Sequence, residues 1–150
     1  MSTPQSYDQD FYGWLTDNVA LMRRGQLDRI DVEHIAEELE AMAKSEKREL
    51  LSRLAVLLMH LLKWHYQAPK RSRSWRTTIL AQRMDISELL EDSPSLRPFL
   101  IEKLQAAYEK AKLKAEDETG IDRRQFSEHC PYALEDILAA DFFPGDAGAD

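Results

Sequence analysis

Glu46, Arg53 and His60 recur at steps of seven in a stretch that reads as helix. Each step of seven drifts only about 20° around a helix, so the three side chains form a polar ladder along one face. A carboxylate, a guanidinium and an imidazole in line could run acid–base chemistry on an anionic substrate, with Glu46 as the base and arginine holding negative charge. The ladder falls on or beside the stripe of Ile35, Leu39 and Met42, the face expected to be buried. On a later helix Arg83 sits within the stripe of Ile79, Ile86 and Leu90, with Arg76 one heptad earlier. Because an unpaired buried charge costs on the order of several kcal/mol, Arg83, and Arg76 with it, is expected to meet Glu46 or a flanking carboxylate, Glu38 or Glu49. An ion-pair network that sets helix register is the favoured reading of Glu46, Arg53, His60 and Arg83; a catalytic site is the alternative.

A second cluster lies in "HLLKWHYQAPKRSRSWR", His60 to Arg76. From His60 to Arg83 there are six basic residues and no acid, in a chain of net charge −7. Six of the 20 basic residues therefore sit here, leaving 14 against 27 acidic ones elsewhere. That balance argues against a general nucleic-acid coat but leaves room for one local anion site. Lys70, Arg71, Arg73 and Arg76 lie in or beside a turn before a helix start, where backbone N–H groups add positive potential. Trp75, with Trp64 and Tyr66, could stack on a base, a sugar or the arginines themselves. The competing reading places the tryptophans in the core and the arginines in solvent or against acidic helix faces.

Other constellations are weaker. Glu33, Glu37 and Glu40 share a helix face with His34 nearby, but they point away from the apolar stripe, so a solvated acidic face is expected and no metal site. His60 and His65, five apart, cannot hold one ion together. Cys130 follows His129 and precedes a helix start, yet lacks a third partner, so packing is favoured over a reactive thiol. With one cysteine no internal disulfide forms. P-loop, dinucleotide, G-x-S-x-G and H-E-x-x-H motifs are missing, and no cofactor is implied.

The elements that must position these residues are helical. Asp8 or Asp10 can cap a helix over 7–24 whose apolar positions are Phe11, Trp14, Leu15, Val19 and Met22, with Gly25 closing it. From Asp31 a second helix carries Val32, Ile35, Ala36, Leu39, Met42 and Ala43 toward Tyr66, either unbroken or bent at Lys44–Glu49. Leu54 to Trp64 is apolar on nearly every side and marks a central buried helix. Pro69 ends it, Ser72 or Ser74 starts a helix to about Glu91, and "EDSPSLRP" separates a long helix from about Leu96 to Glu118. A short helix follows Pro131, with Phe142 and Phe143 as an apolar anchor. The expected architecture is an all-α single-domain bundle of five to six helices over 1–150, with flexible tails at 1–6 and 144–150.

A length of 150 residues and 43% hydrophobic content suit one globular core. The longest apolar run is far too short for a membrane span, and "MSTPQSYDQD" lacks the features of a secretory signal. A cytoplasmic protein without a membrane partner is expected.

The segments "YDQDFYGWL", "LMRRGQLDRIDVEHIAEELEAMAKSE", "LLMHLLKWHYQ", "RSRSWRTTILAQR", "LLEDSPSLRP" and "CPYALEDIL" together resemble the bacterial domain of unknown function 29 family. The resemblance covers nearly the whole chain. It implies a small helical protein standing alone as one domain and brings no activity, substrate or catalytic residue. Ala43 stands where the family is associated with glycine, which favours an unbroken second helix. The functional expectation is a non-enzymatic binding or regulatory module holding nucleic acid, a phosphate ligand or an acidic protein. The alternative is an enzyme using the inner cluster on an anionic small substrate.

Overall fold

The computed structural model describes residues 6–145, so most of both expected tails lies outside the described residues. Five α-helices, α1 (Phe11–Arg23), α2 (Val32–Tyr66), α3 (Arg73–Asp92), α4 (Arg97–Thr119) and α5 (Leu134–Leu138), are joined by loops and short 3-10 turns, and no strand occurs among the described residues. The all-α class holds. The helices gather into two compact units that divide between Ser45 and Glu46.

In the first unit α1 begins at Asp10, whose Oδ1 accepts the Gly13 N–H at 2.9 Å and satisfies one of the free donors of the first turn. The chain turns through Gly25, whose φ of +74° suits a residue without Cβ. Asp31 then caps α2 by accepting the His34 N–H. The two helices run antiparallel. Tyr7 stacks on His34 and donates to Glu38, while further along α1 Trp14 Nε1 donates to Asp31 at 2.9 Å and Asn18 accepts the Asp31 N–H at 2.8 Å.

The seam between these helices differs from the expected one. Trp14, Asn18 and Leu21 are buried, whereas Phe11, Leu15, Val19 and Met22 are exposed. On α2, Val32, Ala36, Leu39, Met42 and Ala43 are exposed and Ile35 is half-buried. Both helices are apolar over more than one stripe, and hydrophobic periodicity cannot choose between stripes. The polar anchors at Asp31 choose, turning Trp14 and Asn18 inward.

In the second unit α2 continues with no break at Lys44–Glu49, which settles the question of a bend in favour of one 35-residue helix. Its buried portion starts at Leu50 and includes Leu54, Leu57, Leu58, Leu61 and Leu62, all fully buried. Ile79 and Ile86 of α3, Leu100 and Tyr108 of α4 and Ile137 of α5 complete that core. Ser72 caps α3 by accepting the Trp75 N–H at 3.2 Å. At the C-terminal end of the described residues, the expected anchor residue Phe143 and the following Pro144 are buried. Gly145, at φ +80°, packs so closely that a Cβ would stand 3.0 Å from both Arg71 Nη2 and His65 Cδ2.

Candidate functional site

The inner cluster does not converge. Glu46 is exposed, because it continues the Ile35–Leu39–Met42 stripe and that stripe itself faces water. Arg53 is half-buried; its Nε donates to Glu49 at 3.1 Å and its Nη1 to Asp85 of α3 at 2.8 Å. His60 turns its Nδ1–H onto the Val56 carbonyl one turn back, at 2.9 Å. Burial pushes the His60 ring below its ordinary pKa, since water no longer solvates the imidazolium.

Arg83 is buried, 3% exposed, as its place in the α3 stripe predicts. Its partners correct the expectation: they are not Glu46, Glu38 or Glu49 but backbone carbonyls of the C-terminal segment. Nε donates to Ile137 O at 2.7 Å and Nη2 to Phe142 O at 2.6 Å, with Ala140 O at 3.5 Å from Nη1. The physical reason lies at the end of α5. The last carbonyls of a helix, such as that of Ile137, find no intrahelical donor, and those of Ala140 and Phe142 follow in the irregular segment after it. A guanidinium offers several donors in a planar fork. Burial lowers the Arg83 pKa to about 10, so it stays charged at neutral pH.

The basic stretch divides into two sets. Arg71 is half-buried, donates from Nε to Trp64 O at 2.8 Å and from Nη2 to Pro144 O at 3.3 Å, and lies over the Trp64 ring. Lys63 is buried against Glu118, Nζ to Oε1 3.1 Å, with Nζ 4.6 Å from the Trp75 ring centroid. These cations and both tryptophans hold the fold. Lys70, Arg73 and Arg76, by contrast, are exposed. The expected inward placement of Arg76 is thereby corrected; its guanidinium lies over Phe143 at 4.8 Å. Among the described residues, the carboxylates that form ion pairs take Arg53, Lys63, Lys112, Arg124 and His34, and none of those pairs takes Lys70, Arg73 or Arg76.

Elsewhere Glu33, Glu37 and Glu40 stand exposed on α2. His34 Nδ1 lies 2.7 Å from Asp31 Oδ2; that contact holds the His34 ring above its ordinary pKa, and Asp31, bonded first by Trp14 and then by His34, lies below the usual carboxylate range. Cys130 Sγ sits 3.5 Å from Tyr132 O, and burial pushes the thiol pKa up, the opposite of activation. A surface groove between Ser87, Glu91, Arg97 and Glu135 lies at the far end of α3 from the basic turn. It contains none of the candidate catalytic or anion-binding residues. No helix among the described residues is long and apolar enough to cross a membrane.

The C-terminal acceptors of Arg83 and Arg71 were missed because main-chain carbonyls leave no mark in a sequence. The one available signal was "DFFPG", whose aromatic pair follows a helix too short to satisfy its own ends. A family model described as "Domain of unknown function DUF29" matches residues 6–143. No curated protein and no solved structure matches the chain.

Proposed function

We propose, from the premise that this chain belongs to the DUF29 family over nearly its whole length, that it is a non-enzymatic binding module whose exposed Lys70, Arg73 and Arg76 hold an anionic partner. The observation that carries this reading is the contrast just described. In a stretch from His60 to Arg83 that holds no carboxylate, Lys63 is taken up by Glu118 and Arg71 and Arg83 by carbonyls, whereas Lys70, Arg73 and Arg76, clustered around the start of one helix, are exposed. Arg73 and Arg76 are three apart on α3 and so share a face, with Lys70 in the turn before it. The Trp64–Arg71 and Trp75–Lys63 contacts brace that turn from beneath. Catalysis through Glu46 and His60 would need both side chains in one cleft; Glu46 is exposed and His60 is turned onto its own helix, so binding is the preferred reading.

The test is fluorescence anisotropy with a labelled single-stranded oligonucleotide, with pyrophosphate and an acidic peptide as competitors, at 50 and 200 mM salt. Three phosphate contacts should weaken binding of a single strand about 20-fold between those concentrations. Lys70→Glu/Arg73→Glu/Arg76→Glu should remove binding while leaving the melting temperature close to wild type. Preference for the acidic peptide over both phosphate ligands would identify a protein partner. Binding of none of the three at 50 mM salt, or undiminished binding by the triple variant, would overturn the proposal.

A further inference from the structure

The first unit leaves one side of its helical hairpin without cover. On α1 the buried residues Trp14, Asn18 and Leu21 define the seam. Phe11, Leu15 and Met22 form a second stripe displaced about 80° from it in the direction of helix winding. On α2 the half-buried Asp31, His34 and Glu38 face α1, and the Val32–Leu39–Met42 stripe is displaced by a similar angle in the same sense. Two antiparallel helices wind in opposite senses when viewed from one end. Equal displacements along the winding therefore bring both stripes to the same side of the hairpin.

The exposure of this face is large. Val32, Leu39 and Met42 are 61%, 60% and 63% exposed, and Phe11, Leu15 and Met22 are 43%, 38% and 39% exposed. Together they present on the order of 600 Å² of apolar surface, the upper end for a monomer and near the roughly 800 Å² that each partner contributes to a standard interface. Charge is arranged to match. Glu33, Glu37 and Glu40 fall on the opposite side of α2, and Asp17 on the opposite side of α1, so the face carries no carboxylate. Val32, Ile35, Leu39 and Met42 follow the 3–4–3 spacing of a helix that packs along another helix, and Glu46, one heptad beyond Leu39, ends the stripe.

We propose that this face docks on the same face of a second copy of the chain, the two hairpins forming a four-helix bundle. A hairpin buries one seam and leaves its second apolar side to water; an isologous contact covers two such sides at once, with the like-charged acidic sides turned outward. A foreign helix would cover the face only once. The absence of any charge on the face favours a partner that brings the same apolar pattern, which this chain itself supplies.

Sedimentation velocity and light scattering on the full chain, from 1 to 200 µM and from 50 to 500 mM salt, test the proposal. A two-chain mass that persists at high salt is expected, because an apolar contact is not screened. Leu39→Asp/Met42→Asp should weaken association at least about a hundredfold, since each substitution acts twice in a symmetric contact. Both positions are already mostly exposed, so helicity should be kept. Leu39→Asn/Met42→Gln serves as a milder second variant with the same expected direction. Glu37→Lys, on the opposite side, should leave the mass unchanged. A single-chain mass throughout, a dimer indifferent to the double variants, or one that dissociates at high salt would each overturn the proposal.

Discussion

Replacing Arg83 by methionine removes the guanidinium while keeping most of the side-chain volume, and it strands the carbonyls of Ile137 and Phe142 that now accept at 2.7 and 2.6 Å. Each stranded buried acceptor costs about 1–3 kcal/mol. The methionine also lifts a burden, since the fall in pKa from 12.5 to about 10 corresponds to roughly 3 kcal/mol of guanidinium desolvation. Two stranded acceptors at the upper end of that range, less this relief, leave an expected loss of about 3 kcal/mol. In a chain of this size that is a melting point lower by about 6–12 °C. Urea unfolding followed by circular dichroism measures the loss. A double-mutant cycle then isolates the cause: deleting residues 141–150 removes the Phe142 and Pro144 acceptors together with buried Phe143. Arg83→Met and the deletion should be non-additive by about 1–2 kcal/mol, the deletion costing less once no charge is left to pair. A loss below about 0.5 kcal/mol for Arg83→Met, or strict additivity, would refute the assignment of Arg83 as the clamp of the C-terminal segment.

Three further outcomes follow from the same contacts. His60 has a lower pKa folded than unfolded, so it contributes stability present above about pH 6.5 and lost as pH falls below it; wild type should lose more stability than His60→Gln between pH 7.5 and 5.5, with NMR titration locating the ring directly. Gly145→Ala forces a Cβ into contact with Arg71 and His65 at a left-handed backbone position, and should cost about 1 kcal/mol or more in urea unfolding. Cys130, with its thiol pKa raised by burial, should react with an aromatic disulfide reagent more slowly than a free cysteine at pH 7.5, the rate rising to the free value in denaturing urea.

Much of the helical framework is legible in the sequence. Asp10, Asp31 and Ser72 announce helix starts because their side chains offer an acceptor to a free N–H, and Gly25 announces an end because it tolerates positive φ. The burial of Arg83 was legible from its place among Ile79, Ile86 and Leu90. Its partner was not, because every residue carries a carbonyl and only the path of the chain after α5 brings three of them to one guanidinium. The same limit applied to the basic stretch. Lys63, Arg71, Trp64 and Trp75 read as one patch with Lys70, Arg73 and Arg76, and packing separated the braces from the exposed cations.

Local chemistry along the chain thus determined where helices begin and end and which segment is apolar on all sides, since capping and periodicity act over a few residues. Tertiary structure alone decided which of two apolar stripes on α1 and α2 turns inward, and so whether Glu46 meets a partner or water. Adjacent stripes on one helix bury similar area, and the choice between them falls to distant polar groups such as Asp31 that hold one rotation of the helix in place.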